Sequence, residues 1–265
     1  MRLRRIAVLI DGGFFLKRLP KLVEPQFRTT AEQVADSARF LCKKHVMRLT
    51  GMNEAEDADG RWLDQAYRFF YYDAEPFAGK AHHPLSNQSI DFAKTDTAKF
   101  RRELFTHLRR KRKFALRLGH VSKEGGWQIA STHTKRLLKV REWAERIEHS
   151  LLPGQVPVDL SENDQRELVN LLEHWKNLSP DSVYYGLRQK GVDMRIGLDI
   201  SSLAHNRQAD TIILVTGDSD FVPAAKLARR EGMEFIVDPL WQKVSDELYE
   251  HVDGIISVYP RPDRV

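Results

Sequence analysis

The sequence is nearly devoid of cysteine and contains no long apolar run. A single cysteine, Cys42, among 265 residues excludes an internal disulfide and a thiolate metal cluster, and it favours a reducing, cytoplasmic location. The longest apolar stretches, such as Ile6–Ile10 and Thr211–Val215, are far shorter than the roughly 20 residues that a membrane span needs. Asp11, Gly12 and Gly13 interrupt the first stretch before a signal-peptide core forms. We therefore expect a soluble cytoplasmic protein with no membrane partner.

Several familiar catalytic signatures are also missing. The sequence has no Gly-x-Gly-x-x-Gly fingerprint, no Walker A loop, no Gly-x-Ser-x-Gly elbow and no His-Glu-x-x-His motif. Its ten histidines, including the pair His82 and His83, show no ligand spacing. These absences argue against dinucleotide binding, P-loop chemistry, serine hydrolase chemistry and histidine-based zinc sites.

The chain does contain a concentrated block of positive charge. The segment from Lys99 to Arg117 holds nine basic residues and one acid, Glu103, for a net charge of +8, whereas the whole chain carries +5. The remainder therefore sums to about −3. A basic stretch on a neutral or acidic body favours a polyanionic partner, because phosphate neutralisation releases counterions, although a solvated helix face is the simpler explanation for a charge run taken alone.

Apolar runs alternate with amphipathic stretches along two parts of the chain. The first run, Ile6–Ile10, is continuous and partly β-branched, as in a strand buried on both faces of a parallel sheet. The predicted elements are, in order, strand 6–10, helix 31–49, strand 67–72, helix 95–113, strand 114–121, helix 192–206, strand 211–216, helix 221–230, strand 234–237, helix 242–250 and strand 254–258. This alternation predicts an α/β fold with a mostly parallel sheet.

The rhythm is interrupted between residues 122 and 182, which predicts a mainly helical insertion. The Gly-containing stretch Ser122–Gly126 indicates a hairpin turn into Trp127–Ala130, and helices are expected over 135–149 and 162–177. The predicted domain organisation is a core of 1–121 and 183–258, an insertion of 122–182 and a C-terminal tail of 259–265.

Aspartates occur where two of the predicted buried strands end. Asp11 directly follows the first strand, and Asp218 and Asp220 follow strand 211–216. Asp193 lies at the start of the helix before that strand, and Asp199 lies six residues further on. Ligands of open parallel sheets bind beyond the carboxyl ends of the strands, so these acids are expected to share one cleft. Close carboxylates repel one another unless a cation intervenes, and hard oxygen ligands favour Mg²⁺ or Mn²⁺ over Zn²⁺.

Each aspartate also has a purely structural explanation. Asp218 or Ser219 is suited to cap the helix that follows, and Asp11 is suited to a turn in which Gly12 and Gly13 adopt unusual backbone angles. Asp193 would favour a helix N-terminus through the helix dipole. The coincidence of these acids at one sheet edge, together with a polycationic helix, is what favours a metal site.

The same residues carry a resemblance to a known family. Its motifs are Val8-Leu9-Ile10-Asp11-Gly12, Tyr71-Tyr72-Asp73, Lys190-Gly191-Val192-Asp193 with Asp199, and Thr216-Gly217-Asp218-Ser219-Asp220-Phe221-Val222-Pro223. This combination resembles the NYN domains of the PIN-like nuclease superfamily, specifically the LabA-like (DUF88) branch, over 1–121 and 183–258. Many members have an Asn shortly after the first Asp, where this chain has Gly13-Phe14-Phe15. The resemblance assigns no family role to the insertion of 122–182.

The resemblance implies a PIN-like three-layer α/β/α sandwich and a metal-dependent ribonuclease, and it suggests roles for individual residues. Asp11, Asp193, Asp218 and Asp220 match the acidic cluster, with Asp11 and Asp218 as the preferred direct ligands of Mg²⁺ or Mn²⁺ and Asp199 as a weaker candidate. Hydrolysis would leave a 5′-phosphate. The expected nucleic-acid contacts are Lys190, Arg102, Arg109, Arg110 and Lys113.

Three alternatives remain open at this stage. Single-stranded DNA is an alternative substrate to RNA. A nucleic-acid-binding or partner-binding module of the same fold would not cut, and a metal-dependent phosphatase would act on small phosphomonoesters. The sequence leaves the oligomeric state undetermined.

Overall fold

The computed structural model describes residues 4–54, 57, 60–151 and 160–262. The segment that joins the two helices of the predicted insertion and the last three residues of the predicted tail lie outside this range. Contacts divide the chain into two compact units, one of residues 1–78, 92–122 and 189–265 and the other of residues 79–91 and 123–188. No helix within the described residues is long and apolar enough to cross a membrane.

The described residues form nine strands and eight helices. The strands are β1 (Ile6–Asp11), β2 (Ala66–Glu75), β3 (Lys80–His82), β4 (Ser89–Asp91), β5 (Phe114–Ile129), β6 (Val183–Lys190), β7 (Thr211–Val215), β8 (Glu234–Asp238) and β9 (Gly254–Ile255). The helices are α1 (Gly12–Arg18), α2 (Ala31–Thr50), α3 (Asp96–Arg110), α4 (Ser131–Leu151), α5 (Glu162–Lys176), α6 (Val192–His205), α7 (Val222–Arg230) and α8 (Asp246–Glu250).

A mostly parallel sheet is the centre of the fold, as predicted. Its seven strands have the order β6-β5-β2-β1-β7-β8-β9, and β3 and β4 form a separate antiparallel pair. Strand β1 is parallel to both β2 and β7. The chain moves outward from β1 in one direction to β2 and β5, and later in the other direction to β7, β8 and β9. The order therefore reverses between β1 and β7, which is the switch point where ligands bind in open α/β sheets.

The core has two layers, one on each face of this sheet. On β1, Ile6, Val8 and Ile10 pack in the layer that contains residues of α1, α2 and α3, whereas Ala7 and Leu9 pack in the layer that contains residues of α6 and α7. Successive side chains of a strand point to opposite faces, so a strand covered on both sides must be apolar throughout. This requirement explains the unbroken apolar run, and the result is the predicted three-layer α/β/α arrangement.

The helix boundaries follow local signals. The Thr30 side chain accepts a hydrogen bond from the Gln33 backbone, and the Gln33 side chain accepts one from the Thr30 backbone. Gly51 ends α2 with a left-handed φ of 69°. The capping box predicted the start of α2 correctly. Helix α3 ends at Arg110 rather than at residue 113, and Lys113 has a positive φ of 66°, which is incompatible with a continuing helix.

The predicted hairpin at Ser122–Gly126 is wrong. Strand β5 runs without interruption from Phe114 to Ile129, and Gly125 and Gly126 adopt positive φ values inside it. Its neighbour is β6, which the sequence analysis did not predict. The last predicted helix and strand are shorter than expected, since α8 covers only Asp246–Glu250 and β9 only Gly254–Ile255.

Candidate active site at the carboxyl edge of the sheet

Asp11 occupies the carboxyl end of β1, beside the switch point. Its Oδ1 accepts a hydrogen bond from the Phe14 backbone N–H at 3.1 Å, which caps α1. Burial raises the pKa of Asp11 to about 6, against the lowering effect of the backbone N–H groups of Phe14 and Gly13. The negative charges of Asp193 and Asp73 raise this pKa as well. Three carboxylates from different parts of the chain therefore influence one another here.

Gly12 is required at this position because a side chain would collide with β2, not because of its backbone angles. Neither Gly12 nor Gly13 has a positive φ, so the unusual angles proposed from the sequence are absent. A Cβ on Gly12 would lie 2.5 Å from Tyr71 Cε1 and 2.6 Å from the Tyr72 carbonyl oxygen. The absence of a side chain lets α1 begin directly against β2.

Asp73 is a member of this acidic group that the site prediction left out. It follows Tyr72, the β2 residue paired with Asp11, and its side chain is completely buried. Arg101 of α3 forms an ion pair with Asp73 Oδ1, and the same oxygen accepts hydrogen bonds from Gln189 Nε2 at 3.1 Å and from the Ala74 backbone at 2.8 Å. Burial nevertheless raises the pKa of Asp73 above its usual value.

Two buried polar atoms in this region have no hydrogen-bond partner within the described structure. They are Asp73 Oδ2 and the hydroxyl of Tyr71. Burial, together with the negative charge of Asp73, raises the pKa of Tyr71 well above its usual value, so the hydroxyl stays protonated. Arg101 and Gln189 are the partners that hold Asp73. Only the position of Asp73 at the end of an aromatic strand marked it in the sequence.

Asp218 and Asp220 lie in the turn after β7. The Asp218 backbone donates to Thr216 Oγ1 at 3.2 Å, and Asp218 Oδ1 accepts from the Asp220 backbone at 3.0 Å. Asp218 therefore caps the short turn before α7, as the structural alternative predicted, and both carboxylates face solvent. A Cβ on Gly217 would lie 2.9 Å from Phe14 Cε2, so this turn packs against the start of α1.

Asp193 and Lys190 flank the junction between β6 and α6. Gly191 caps α6 with a left-handed φ of 75°, which lets the chain turn from strand to helix. Asp193 lies in the first turn of α6, where a negative charge is favoured by the helix dipole, and its side chain is exposed. Lys190 is also exposed.

Asp199 is engaged elsewhere on α6. Its Oδ2 accepts a hydrogen bond from the Tyr72 hydroxyl at 2.8 Å and from Arg117 Nε at 2.9 Å. Arg117 also lies over the Phe70 ring, with its guanidinium carbon 5.2 Å from the ring centroid. These contacts tie α6 to β2 and β5, so the carboxylate of Asp199 has a structural role in packing.

The predicted nucleic-acid contacts on and after α3 do not lie together. Arg101 near the start of α3 reaches the carboxyl end of β2, whereas Lys113 Nζ donates to the carbonyls of Leu63, at 2.6 Å, and Ala66, where β2 begins. Helix α3 therefore runs antiparallel to β2. Its basic end, with the exposed Arg109 and Arg110, lies at the edge opposite Asp11, roughly 20 Å away for a six-residue strand.

Lys113 and Arg102 are both engaged by main-chain oxygens. Burial lowers the pKa of Lys113, whose ammonium group is held by the two carbonyls at the start of β2. Arg102 is exposed and donates to the Ala93 carbonyl at 2.5 Å. Arg102 directly follows Arg101, whose side chain reaches the carboxyl end of β2, and Lys190 is the last residue of β6.

A known family model matches the C-terminal part of the chain. Residues 155–258 match the family model of the NYN domain, a range that contains Asp193, Asp218 and Asp220. The match covers 104 of the 265 residues and does not include Asp11. NYN domains belong to the PIN-like nuclease superfamily. The LabA-like branch stays a prediction.

Other comparisons add little to this assignment. A crystal structure of a protein of unknown function from Vibrio parahaemolyticus aligns with 97% of this chain and 96% of its own, at 14% sequence identity and a TM-score of 0.41. A similarity at that level supports no statement about activity. No curated protein matches the sequence.

Proposed function

We propose that the protein is a metal-dependent ribonuclease that hydrolyses RNA phosphodiester bonds and leaves 5′-phosphate ends. The observation that carries this proposal is the electrostatic coupling of Asp11, at the end of β1, to Asp193, at the start of α6. These two residues are distant in sequence, and the fold brings their charges together at the switch point. Carboxylates placed in this way suit phosphate chemistry that needs a cation.

The donor set fits Mg²⁺ or Mn²⁺. Carboxylate oxygens are the ligands that these hard cations prefer, and Mg²⁺ is commonly held by one or two carboxylates, with waters and substrate phosphates completing its shell. Within the described residues, no group of three or more His, Cys, Asp or Glu side chains is placed to hold a metal ion, so a cation here would depend on one or two carboxylates together with water and substrate phosphate. We assign Asp11 and Asp218 as direct ligands, and Asp193 and Asp220 as ligands through water. The contacts of Asp199 with Tyr72 and Arg117 remove it from this set.

A bound cation would supply an activated water and would neutralise charge that develops on the phosphate. The protein's own groups would do the positioning. The Phe14 backbone N–H fixes the Asp11 carboxylate. Gly13 places no side chain against it, since a Cβ there would lie 3.4 Å from Asp11 Oδ1. The exposed carboxylate of Asp220 would accept a hydrogen bond from the attacking water. Lys190 and Arg102 would hold phosphates of the RNA backbone without reading its sequence.

The variant Asp218→Asn tests this proposal. Cleavage of RNA by the wild type should require Mg²⁺ or Mn²⁺ and should fall by at least about 100-fold in the variant, since a ligand charge is lost. RNA binding should persist, because the amide retains the oxygen that caps the turn. Asp246→Asn, an exposed aspartate in the first turn of α8, is the matched control and should cleave like the wild type.

A non-catalytic nucleic-acid- or partner-binding module is the second candidate. The capping bonds of Asp11 and Asp218 favour it, because each gives its aspartate a structural function. This candidate predicts RNA binding without cleavage in every metal tested. Hydrolysis of small phosphomonoesters without internal cleavage of RNA or single-stranded DNA would instead identify a phosphatase.

A further inference from the structure

The loop that follows β8 holds two bulky residues in an unfavourable backbone conformation. Leu240 and Trp241 have positive φ values of 48° and 62°, which L-residues with large side chains rarely adopt. The Leu240 side chain is completely buried, its backbone N–H donates to Asp238 Oδ1 at 2.8 Å, and its carbonyl accepts from Arg18 Nη2 at 2.6 Å. Such strain persists only where the surroundings enforce it, and it is concentrated at functional sites.

This loop fixes the indole of Trp241 while leaving it accessible. Trp241 Nε1 donates to the Tyr259 carbonyl at 2.8 Å, and its backbone N–H donates to Ser257 Oγ at 3.1 Å. The guanidinium carbon of Arg261 lies 5.6 Å from the ring centroid. Even so, Trp241 is 40% exposed. A large aromatic surface is therefore held in one orientation toward solvent.

Trp241 lines a basic pocket of about 410 Å³. Arg48, Lys243 and Arg261 also line it, together with the polar side chains of Gln242 and Ser257, and no acidic residue does. Within the described part of the chain, Arg48 and Lys243 form no ion pair. The volume lies in the range of small-ligand sites, and three cations beside an aromatic ring suit an anion that carries a flat group.

The pocket adjoins the acidic edge. A Cβ on Gly217 would lie 2.8 Å from Gln242 Nε2, and Gly217 directly precedes Asp218. Strand β8 is the neighbour of β7, which is the neighbour of β1. The carboxyl ends of β1 and β8 are thus about 10 Å apart at the usual strand spacing. A nucleotide chain lying across this edge would pass from the aspartates to the pocket.

We propose that Trp241, Arg48, Lys243 and Arg261 form a subsite that binds one nucleotide of single-stranded RNA, next to the scissile phosphate. The base stacks on the indole, and the basic side chains bind the flanking phosphates. This subsite rests on the proposed function for its position relative to cleavage, but binding does not require the protein to cut.

The test is a binding titration in EDTA with a fluorescein-labelled oligouridylate of about 12 nucleotides, followed by anisotropy at several salt concentrations. Trp241→Leu should weaken binding about tenfold or more and leave the salt dependence unchanged, since stacking involves no counterion. Lys243→Ala should weaken binding and reduce the slope of log K against log salt by about 0.7, the value for one phosphate of a single strand.

Matched controls come from the same chain. Trp175→Leu removes a tryptophan that is 44% exposed on α5, and Lys226→Ala removes an exposed lysine on α7, and both should bind like the wild type. Lys243 has no hydrogen bond to lose in the described structure, so its variant keeps the test valid if Trp241→Leu does not fold.

Equal affinities for the pocket variants and their controls would overturn the subsite, as would a wild type that does not bind. Cleavage with Mn²⁺ is scored separately. Binding that depends on Trp241 in a protein that never cuts would refute the nuclease proposal and keep the subsite.

Discussion

Asp11 is held in surroundings that oppose its charged form. Burial and the neighbouring carboxylates raise its pKa from an ordinary value of 3.8 to about 6. Protonated Asp11 therefore favours the folded state. This stabilisation is fully present below pH 3.8 and is lost as the pH rises through about 6. At neutral pH, where Asp11 is ionised, its buried charge lowers the free energy of unfolding. Such a cost is common at functional sites.

Asp11→Asn should accordingly stabilise the metal-free protein. Because the amide never ionises, the free energy of unfolding in EDTA should exceed that of the wild type by about 3 kcal/mol at pH 8, and the gain should shrink toward pH 4. Urea denaturation at both pH values measures this difference. Added Mn²⁺ should narrow the gap, because the cation stabilises only the wild type. A variant that is less stable than the wild type at pH 8 would contradict the electrostatic description of Asp11.

Arg101 compensates the buried charge of Asp73. Removing one member of a buried ion pair leaves the other charge unpaired, so Arg101→Ala should lower the free energy of unfolding by about 3 kcal/mol at pH 8. The pKa of Asp73 is already raised by burial, and it should rise further without Arg101. Protonation then relieves the unpaired charge, so the loss should be smaller at pH 5.

The double variant Asp73→Asn with Arg101→Ala is the control for this pair. It should recover most of the lost stability, since no buried charge remains. Equal losses at both pH values, with no recovery in the double variant, would show that Arg101 stabilises the fold through packing alone.

At the scale of elements, the sequence predicted what local patterns determine. Strands β1 and β7 have apolar runs that match burial on both faces, and α2 has a capping box. The pairing of β5 with β6 was missed because the partner strand begins far along the chain, after two helices. Gly125 and Gly126 do need positive φ values, as a turn would, but they adopt them within β5. Glycine is favoured both in a turn and at a positive φ within a strand, so the sequence pattern did not distinguish a hairpin from a continuous strand.

The direction of α3 separates its charges into two groups. Arg109 and Arg110 lie at the edge opposite Asp11, because α3 runs antiparallel to β2. The double variant Arg109→Gln with Arg110→Gln should therefore cleave a short RNA with kcat/KM within about twofold of the wild type, since side chains beyond the Debye length of about 10 Å contribute little. Single-turnover cleavage assays measure this. A loss of tenfold or more would place the RNA along the whole of α3.

At the scale of the molecule, the proposed acidic site depends on contacts that the sequence reveals only in part. Asp11, Asp193 and Asp218 were predicted as site residues because strand ends in a parallel sheet converge on one edge, and they stay a prediction. Asp73 was missed because its significance depends on Arg101 and Gln189, which are distant in sequence. Asp199 was included because it follows Asp193, but its hydrogen bonds with Tyr72 and Arg117 are tertiary. Long-range partners therefore decide which acids are free to act.

The most direct test of a cation at the switch point is an NMR titration of the protein with Mn²⁺. The paramagnetic ion broadens amide signals close to it, so the signals of Gly13, Asp193 and Gly217 should weaken first, at Mn²⁺ concentrations that leave those of the end of α3 unchanged. Asp11→Asn should abolish this selective broadening. Broadening centred elsewhere, or broadening that is identical in the wild type and in Asp11→Asn, would contradict the assignment of these aspartates as a metal site.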